Sequence, residues 1–260
     1  MNPANIRQAV LLAAGRGSRM GGQTDAQPKC LLPLAGLPLL EWTLRALRTS
    51  GIEDVLIITG WQSECLAHWS KHLRHNPGWA RGNMVRSLQV ADDWLRRAPT
   101  LVAYGDGAYG TSALQSALQA NDADLVVPVD TRWLELWRRR FANPLDDAET
   151  LHRRDGYLSL IGQRPSSLGD IQGQFMGLLR TTPASWQRIT ARLDALELAQ
   201  GHAVVDRLDM TGLLQSLLDA GERIACVEVA GGWVEIDSPQ DALAVETALC
   251  EPAFSHDFRA

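Results

Sequence analysis

The segment that most constrains the fold covers residues 10–20, where an apolar run of strand length enters a loop with two glycines. Gly15 and Gly17 let the backbone adopt unusual dihedrals and approach a bound group without a side chain in the way. The amides of such a loop form a concave anion-binding surface. Arg19 and, further along, Lys29 can neutralise bound negative charge. The segment therefore predicts a strand and a loop that suit a nucleoside triphosphate.

Individual residues exclude two other phosphate-binding loops. A dinucleotide-binding fingerprint requires a third glycine where Met20 stands, and a P-loop requires Gly-Lys-Ser/Thr where this chain has Pro28-Lys29-Cys30. A tight glycine turn with solvated cations is the simpler alternative. The strand, both glycines, the arginine and the Pro-Lys pair together favour the nucleotide site.

Length, charge and cysteine spacing narrow the class of protein. A chain of 260 residues, 45% of them hydrophobic, can bury a sizeable core in one α/β domain. A net charge of -5 argues against a nucleic-acid binder with a basic surface. The scattered cysteines indicate no zinc or dithiol motif and are typical of a reducing cytoplasm. No apolar run predicts a signal peptide or membrane span, so we expect a soluble cytoplasmic protein.

Strand-length apolar runs alternate with segments of helical period, which predicts a doubly wound, mainly parallel α/β sheet with helices on both faces. Strands are predicted over 8–13, 54–59, 100–104, 124–129, 157–162, 174–180, 223–229 and 232–236, the last two as a closing pair. Helices are predicted over 39–49, 62–74, 83–97, 112–120, 184–199 and 211–220. Ser238 as N-cap and Pro239 at the first helical position begin a final helix. One domain is expected over 1–250, followed by a C-terminal tail over 251–260.

Two segments place carboxylates where a ligand could bind. Asp106 lies between two glycines after the strand that ends at Tyr104, at the edge where open α/β sheets bind ligands. Strand alternation near the other end would point Glu235 and Asp237 to the same face. The alternatives are an ordinary Asp-Gly turn at Asp106 and a helix-capping role for Asp237.

The opening residues resemble the signature L-A-A-G-x-G-x-R-M followed by P-K of the nucleotidyltransferase superfamily that includes sugar-phosphate pyrophosphorylases. The resemblance implies a Rossmann-like fold in which Arg19 and Lys29 are catalytic and stabilise the triphosphate and the leaving pyrophosphate. It also implies that Asp106 and Asp237 hold the catalytic divalent cation, and Mg²⁺ is expected because it prefers oxygen ligands. The implied nucleotide-binding residues are Leu12, Ala13, Ala14, Gly15, Gly17, Asn83, Ser87 and Gly105.

Three further stretches narrow the resemblance to one branch. Residues 83–88 are similar to the N-x-x-x-S-L segment of bacterial CTP:phosphocholine cytidylyltransferases. Residues 130–137 with 147–149, and residues 172–178, also resemble that branch and its phosphonate cytidylyltransferase relatives. The implied reaction transfers CMP from CTP to a small phosphate or phosphonate acceptor, such as phosphocholine or 2-aminoethylphosphonate, and releases pyrophosphate. An acceptor-binding subregion is expected over about 130–180, with the residues Asp130, Trp133, Trp137, Glu149, Gln174 and Met176.

The sequence leaves alternatives open on the acceptor side. Trp133 and Trp137 are one helical turn apart, so they could form an aromatic wall for an ammonium group beside Asp130, or could fill the core. The arginine run over 138–140 is either a solvated helix face or a feature that favours a more anionic phosphonate. The alternative functions are a sugar-1-phosphate nucleotidyltransferase and a non-catalytic nucleotide-binding protein of the same fold.

Overall fold

A computed structural model describes residues 6–119 and 123–259 of the protein. The strands are β1 (Gln8–Ala13), β2 (Pro33–Leu34), β3 (Leu37–Pro38), β4 (Asp54–Thr59), β5 (His72–His75), β6 (Thr100–Tyr104), β7 (Gly107–Tyr109), β8 (Leu125–Asp130), β9 (Leu151–Arg154), β10 (Tyr157–Ile161), β11 (Gln174–Phe175), β12 (Leu178–Thr181), β13 (Ala225–Val229) and β14 (Trp233–Glu235). The helices are α1 (Leu39–Thr49), α2 (Met84–Gln89), α3 (Asp92–Arg97), α4 (Thr111–Gln119), α5 (Trp133–Arg140), α6 (Pro183–Gln200), α7 (His202–Arg207), α8 (Met210–Asp219) and α9 (Pro239–Ala248).

A ten-stranded sheet forms the centre of the molecule, in the order β5-β4-β1-β6-β12-β8-β13-β10-β9, with β11 also paired to β8. Its first four strands are parallel neighbours, and β8 is parallel to β13. Strand β12 runs antiparallel between β6 and β8, and β10 is antiparallel to both of its neighbours. The carboxyl ends of the parallel strands therefore meet at one edge.

The sheet is covered on both faces, and strand β1 shows why. Its side chains alternate between two cores, because successive residues of a strand point to opposite faces. Ala9 and Leu11 join the core that contains Leu44 of α1, whereas Val10 joins the core that contains Leu88 of α2 and Trp186 of α6. A strand buried on both faces reads as a continuous apolar run. The predicted doubly wound architecture is confirmed.

Several predicted elements match the observed bounds. Strands β1, β4 and β6 and helix α1 begin and end at the predicted residues, and Ser238 caps α9 by accepting the Asp241 N–H at 3.2 Å. The predicted end of α4 at Ala120 lies outside the described residues. The pattern of apolar residues was therefore a good guide wherever a strand or helix packs against the core along its whole length.

Other predictions were wrong. Residues 62–74 form a short 3₁₀ turn, Ser63–Leu66, and then the edge strand β5, because residues 72–75 pair in parallel with β4 instead of continuing a helix. The segments 83–97 and 174–180 each divide into two elements. The final two strands do not pair with each other, since β13 joins the large sheet and β14 pairs with β7.

The C-terminal residues are also not a tail outside the domain. Phe254, His256 and Phe258 are 8%, 0% and 2% exposed. Nε2 of His256 lies 2.7 Å from Oδ2 of Asp130, and the ring of Phe258 packs edge-on against Trp42 of α1. These residues therefore pack against the core rather than extending away from it. None of the helices in the described ranges combines the length and the apolar character needed to span a membrane.

Candidate active site

The loop after β1 brings Lys29 against Gly17. Gly17 has a left-handed backbone, with φ 72°, and a Cβ there would lie 2.7 Å from Cβ of Lys29. Glycine is required on both counts, because other residues rarely adopt this conformation and none would leave room for the lysine stem. The loop is therefore built to bring a lysine against the end of β1.

Lys29 lies at the centre of a charged cluster. Its Nζ is 2.8 Å from Oδ2 of Asp106 and 2.7 Å from Oδ1 of Asp237, while Nη2 of Arg19 is 3.0 Å from the same Asp237 oxygen. Burial alone would lower the pKa of Lys29, which is 9% exposed, but the two carboxylates outweigh burial and raise that pKa above its usual value. The lysine is therefore a fixed positive charge at this edge.

Strand pairing brings the carboxylates together although they are distant in sequence. Asp106 lies between β6 and β7, and β14 pairs antiparallel with β7 so that Glu235 is opposite Gly107. The Ile236 N–H then donates to the Asp106 carbonyl at 3.1 Å. One oxygen from each of Asp106, Glu235 and Asp237 falls within 4.8 Å of the others. The same-face orientation of Glu235 and Asp237 is as strand alternation predicts.

This group of carboxylates fits a divalent metal ion. Magnesium takes oxygen ligands and is usually held by one or two carboxylates together with substrate phosphates. Oδ1 of Asp106 is buried and accepts no hydrogen bond from the described residues. Such an oxygen is costly to bury unless a ligand or ion satisfies it. Asp106 and Asp237, with Glu235 beside them, are the residues that could hold the metal.

Arg140 is part of this cluster. Its side chain is fully buried and contacts Oε2 of Glu235 at 3.2 Å, Oδ2 of Asp237 at 3.4 Å and Oδ1 of Asp241 at 3.1 Å. Arg139 instead pairs with the exposed Glu251. The run over 138–140 is therefore neither wholly a solvated face nor an acceptor-binding group, because its last member is paired with Glu235, Asp237 and Asp241.

Burial dominates the titration of Glu235. Burial and the neighbouring Asp237 charge raise the pKa of Glu235 to about 7, against the opposing effect of Arg140. The pKa of Asp237 is lowered instead, because the charges and hydrogen bonds of Lys29, Arg19 and Arg140 outweigh its burial. Two carboxylates in one cluster thus differ in their affinity for protons according to which cations face them.

Two adjoining cavities of about 160 and 110 Å³ lie along the end of β1 and the loop that follows it. They share Leu12, Gly15 and Asp106; the smaller one reaches Lys29, and the larger one reaches Trp79 and Tyr104. All of the predicted nucleotide-binding residues line one or both cavities: Leu12, Ala13, Ala14, Gly15, Gly17, Asn83, Ser87 and Gly105. The structure thus brings the predicted set together.

A third cavity of about 230 Å³ lies on the other side of the charged cluster. Arg19, Glu235 and Asp237 form one end, and Tyr104 and Met84 separate it from the nucleotide side. Three of the predicted acceptor-binding residues line it: Trp137, Glu149 and Gln174.

The structure does not bring Asp130, Trp133 or Met176 into the cavities it describes. Asp130 is 0% exposed and accepts hydrogen bonds from the N–H groups of Arg132 and Gly231 and from Nε1 of Trp233, besides its contact with His256. Trp133 is 4% exposed and Met176 is fully buried in the same core. These three residues support the fold, and the expected pairing of Asp130 with an aromatic wall is corrected.

Trp137 lines the third cavity, but its ring is already engaged. The Arg140 guanidinium carbon lies 5.2 Å from the ring centre, the ring of Trp233 lies 6.4 Å away, and Nε1 donates to Oδ2 of Asp147 at 3.1 Å. Trp137 therefore orients Arg140 and Asp147 as well as forming a wall.

The far end of the third cavity is acidic, and sequence reasoning missed part of it. Oγ1 of Thr211 lies 3.3 Å from Oε1 of Glu149 and also 3.3 Å from Oδ1 of Asp209. Burial raises the pKa of Glu149. Asp209 accepts the Gly212 N–H at 2.8 Å, so its sequence signal is that of a helix cap. Only tertiary packing shows that this cap also faces Glu149.

Residues 9–167, more than half of the chain, match the MobA-like NTP transferase domain family. The chain belongs to this family. It is accordingly a nucleotidyltransferase, as the predicted resemblance implies.

Similar proteins extend the match beyond the family domain. CTP:phosphoglutamine cytidylyltransferase of Campylobacter jejuni is 29% identical over 245 residues, covering 90% of this chain and 96% of that protein. The inositol-1-phosphate CTP transferase from T. maritima has a TM-score of 0.73 at 18% identity, over 95% of this chain and 97% of that one. CTP:phosphocholine cytidylyltransferase from Streptococcus pneumoniae has a TM-score of 0.69 at 20% identity, over 94% and 100%. The two structures confirm the predicted nucleotidyltransferase fold.

Proposed function

We propose that the protein is a Mg²⁺-dependent cytidylyltransferase that transfers CMP from CTP to a small phosphate or phosphonate acceptor and releases pyrophosphate. One observation carries the proposal. The charged cluster lies at the junction of the cavities. Lys29 and Asp106 line the cavity of about 110 Å³, whereas Arg19, Glu235 and Asp237 line the third cavity. Two substrates bound on either side would meet at these charges.

The reaction needs charge stabilisation and positioning rather than a protein nucleophile. An oxygen of the acceptor's phosphate or phosphonate would attack the α-phosphorus of CTP, and the bond from that phosphorus to the pyrophosphate oxygen would break. Lys29 and Arg19 would stabilise the negative charge of the triphosphate and of the leaving pyrophosphate. Bound Mg²⁺, held by Asp106 and Asp237, would supply further charge neutralisation at the phosphates.

The choice of CTP rests on two supports. The nucleotide-side cavity is narrow, with Ala14 and Gly15 leaving main-chain groups close to a bound base. The Campylobacter relative, which matches nearly the whole chain, is named for CTP. A site that pairs with the polar groups of one base rejects bases that lack them.

The third cavity, which we call the acceptor cavity, favours a small ligand with a positively charged group. No cationic side chain among residues 6–119 and 123–259 forms an ion pair with Glu149 or Asp209 at its far end. Glu149 is half-buried, and burial raises its pKa, so a ligand cation would stabilise its charged form, with the exposed Asp209 beside it. Phosphocholine and 2-aminoethylphosphonate place an ammonium one short chain away from the reacting oxygen. Glu149 and Asp209 would hold that ammonium while the acceptor oxygen faces the charged cluster.

Pyrophosphate release tests the proposal. The purified protein is assayed with CTP, UTP, ATP and GTP against phosphocholine, 2-aminoethylphosphonate, phosphoglutamine and glucose 1-phosphate, with Mg²⁺ and with EDTA. We expect Mg²⁺-dependent release with CTP and a nitrogen-containing acceptor. A preference for glucose 1-phosphate would instead assign a sugar-phosphate nucleotidyltransferase. Binding of nucleotide without release under every combination would assign a non-catalytic nucleotide-binding protein.

A further inference from the structure

A buried asparagine outside the predicted site controls the hydrogen bonding of Ser87. Asn76 is 4% exposed and follows β5. Its Oδ1 lies 2.9 Å from the Gly78 N–H, and its Nδ2 lies 3.0 Å from Oγ of Ser87. A backbone N–H can only donate, so the amide atom facing Gly78 must be the oxygen. The atom facing Ser87 is then the amide nitrogen, which can only donate.

The direction of this bond determines what Ser87 offers to a ligand. Because Oγ of Ser87 accepts from Asn76, its own proton is free to be donated elsewhere. Ser87 is 5% exposed and lines the cavity of about 160 Å³. Across residues 6–119 and 123–259, no protein group accepts that proton. A buried donor without an acceptor is unfavourable, so the hydroxyl is poised to donate to a group bound in the cavity.

We propose that Asn76 is a positioning residue that fixes Ser87 as a hydrogen-bond donor to the nucleobase, and that this polarity favours cytosine over uracil at ring atom N3. The inference rests on the proposed function, which puts the base of CTP in this cavity. N3 of cytosine is an acceptor, whereas N3 of uracil carries a hydrogen and is a donor. A donor at Ser87 matches the first base and opposes the second, and a hydroxyl that is free to rotate would accommodate both.

An isosteric substitution reverses the polarity. In Asn76→Asp, one carboxylate oxygen still accepts the Gly78 N–H, but the other accepts from Ser87, and the serine then presents an acceptor to the base. We expect the ratio of kcat/KM for CTP to that for UTP to fall by about tenfold or more, mainly through KM. Gln89→Glu is the matched control, because it also converts an amide to a carboxylate. Residue 89 lies on the same helix as Ser87 but does not contact the Ser87 hydroxyl, so this change should leave the ratio unchanged.

A double-substitution cycle separates positioning from a general structural effect. In a Ser87→Ala background, Asn76→Asp should leave the ratio of CTP to UTP turnover unchanged, because the hydroxyl through which it acts is absent. If the ratio falls equally in both backgrounds, or stays unchanged with Ser87 intact, the proposal is overturned.

A substrate analogue tests the same bond in the wild-type protein, so the result does not depend on how Asn76→Asp folds. 3-Deazacytidine triphosphate replaces ring N3 by a C–H group. The wild type should use it about tenfold less well than CTP, and Ser87→Ala should use the two equally. Equal use by the wild type would overturn the inference. Absence of transfer from both CTP and UTP in the wild type would instead reject the proposed function.

Discussion

The proposed nucleotide side of the site, formed by the cavities of about 160 and 110 Å³, and the proposed acceptor side, formed by the third cavity, differ in the groups that line them. The cavities on the proposed nucleotide side are lined partly by the end of β1 and its loop, where alanine and glycine expose the main chain, and partly by side chains such as Asn83, Ser87 and Tyr104. The acceptor cavity is lined by residues of α5, β11, α8 and β14 and of the segments next to them, and its carboxylates are Asp147, Glu149, Asp209, Glu235 and Asp237. Main-chain amides can hold phosphates whatever the surrounding side chains. Phosphate binding on the nucleotide side therefore depends little on side chains, whereas specificity on the acceptor side depends on them.

The largest expected effect lies where the two sides meet. Asp106→Asn or Asp237→Asn removes one carboxylate charge while keeping the side chain's size, and loss of such a preorganised group costs about a hundredfold to a thousandfold in turnover. Mg²⁺-dependent pyrophosphate release from CTP measures it. Asp194→Asn, on the exposed surface of α6, is the control and should be unaffected. Near-normal turnover in both site variants would contradict the metal assignment.

Arg140 and Arg139 compare a buried charge with an exposed one on the same helix. Arg140→Ala leaves the carboxylates of Glu235, Asp237 and Asp241 without their shared buried partner, and breaking a buried pair costs about 3–5 kcal/mol of stability. Arg139→Ala breaks a half-exposed pair with Glu251, where about 0–1 kcal/mol is expected. The free energy of unfolding in urea measures both. Equal effects would show that Arg140 is not needed to balance the cluster.

The two sides should also separate kinetically. Glu149→Gln or Asp209→Asn removes a charge from the acceptor end, and a hydrogen bond to a charged group is worth about 1.5–3 kcal/mol. We expect KM for an ammonium-bearing acceptor to rise about tenfold or more while KM for CTP is unchanged. Glu228→Gln, on an exposed part of β13, is the control. A matching rise in KM for CTP would mean that the two sides are not independent.

The smallest effect is a pH dependence of stability at the acceptor side. Burial raises the pKa of Glu149 above its unfolded-state value. The stability associated with its proton is complete below the unfolded-state pKa and is lost as the pH rises through the raised folded-state pKa. The glutamine in Glu149→Gln does not titrate. The unfolding free energy of the variant should therefore rise relative to that of the wild type as the pH increases from 4 to 8. A constant difference across this range would show that Glu149 is not destabilised by its burial.

The residues on the nucleotide side were easier to predict from the sequence than those on the acceptor side. Gly15, Gly17, Lys29 and their neighbours lie in one short stretch, so the residue types, their spacing and the family resemblance together predicted that they meet at one loop. Asp106 was recognisable because it follows directly on a buried strand. At these positions the chemistry depends on residues that are neighbours in the chain.

On the acceptor side the sequence supplied candidates, and the tertiary structure chose among them. Asp130 and Trp137 are near neighbours in sequence, yet only Trp137 lines the cavity, because Asp130 is held in the core by His256 and Trp233. Arg140 joins the metal-site carboxylates only because α5 packs beside β14.

The sequence by itself thus determined the α/β sheet and pointed to the glycine loop and to Asp106 and Asp237, since each depends on periodicity or on contiguous residues. Only the tertiary structure decided that Glu235 and Arg140 join those carboxylates and that Asp209 faces Glu149. It also decided that Asn76 directs the hydroxyl of Ser87. These residues come from different elements, and a contact between elements depends on how strands pair and helices pack, which the local pattern of residues does not encode.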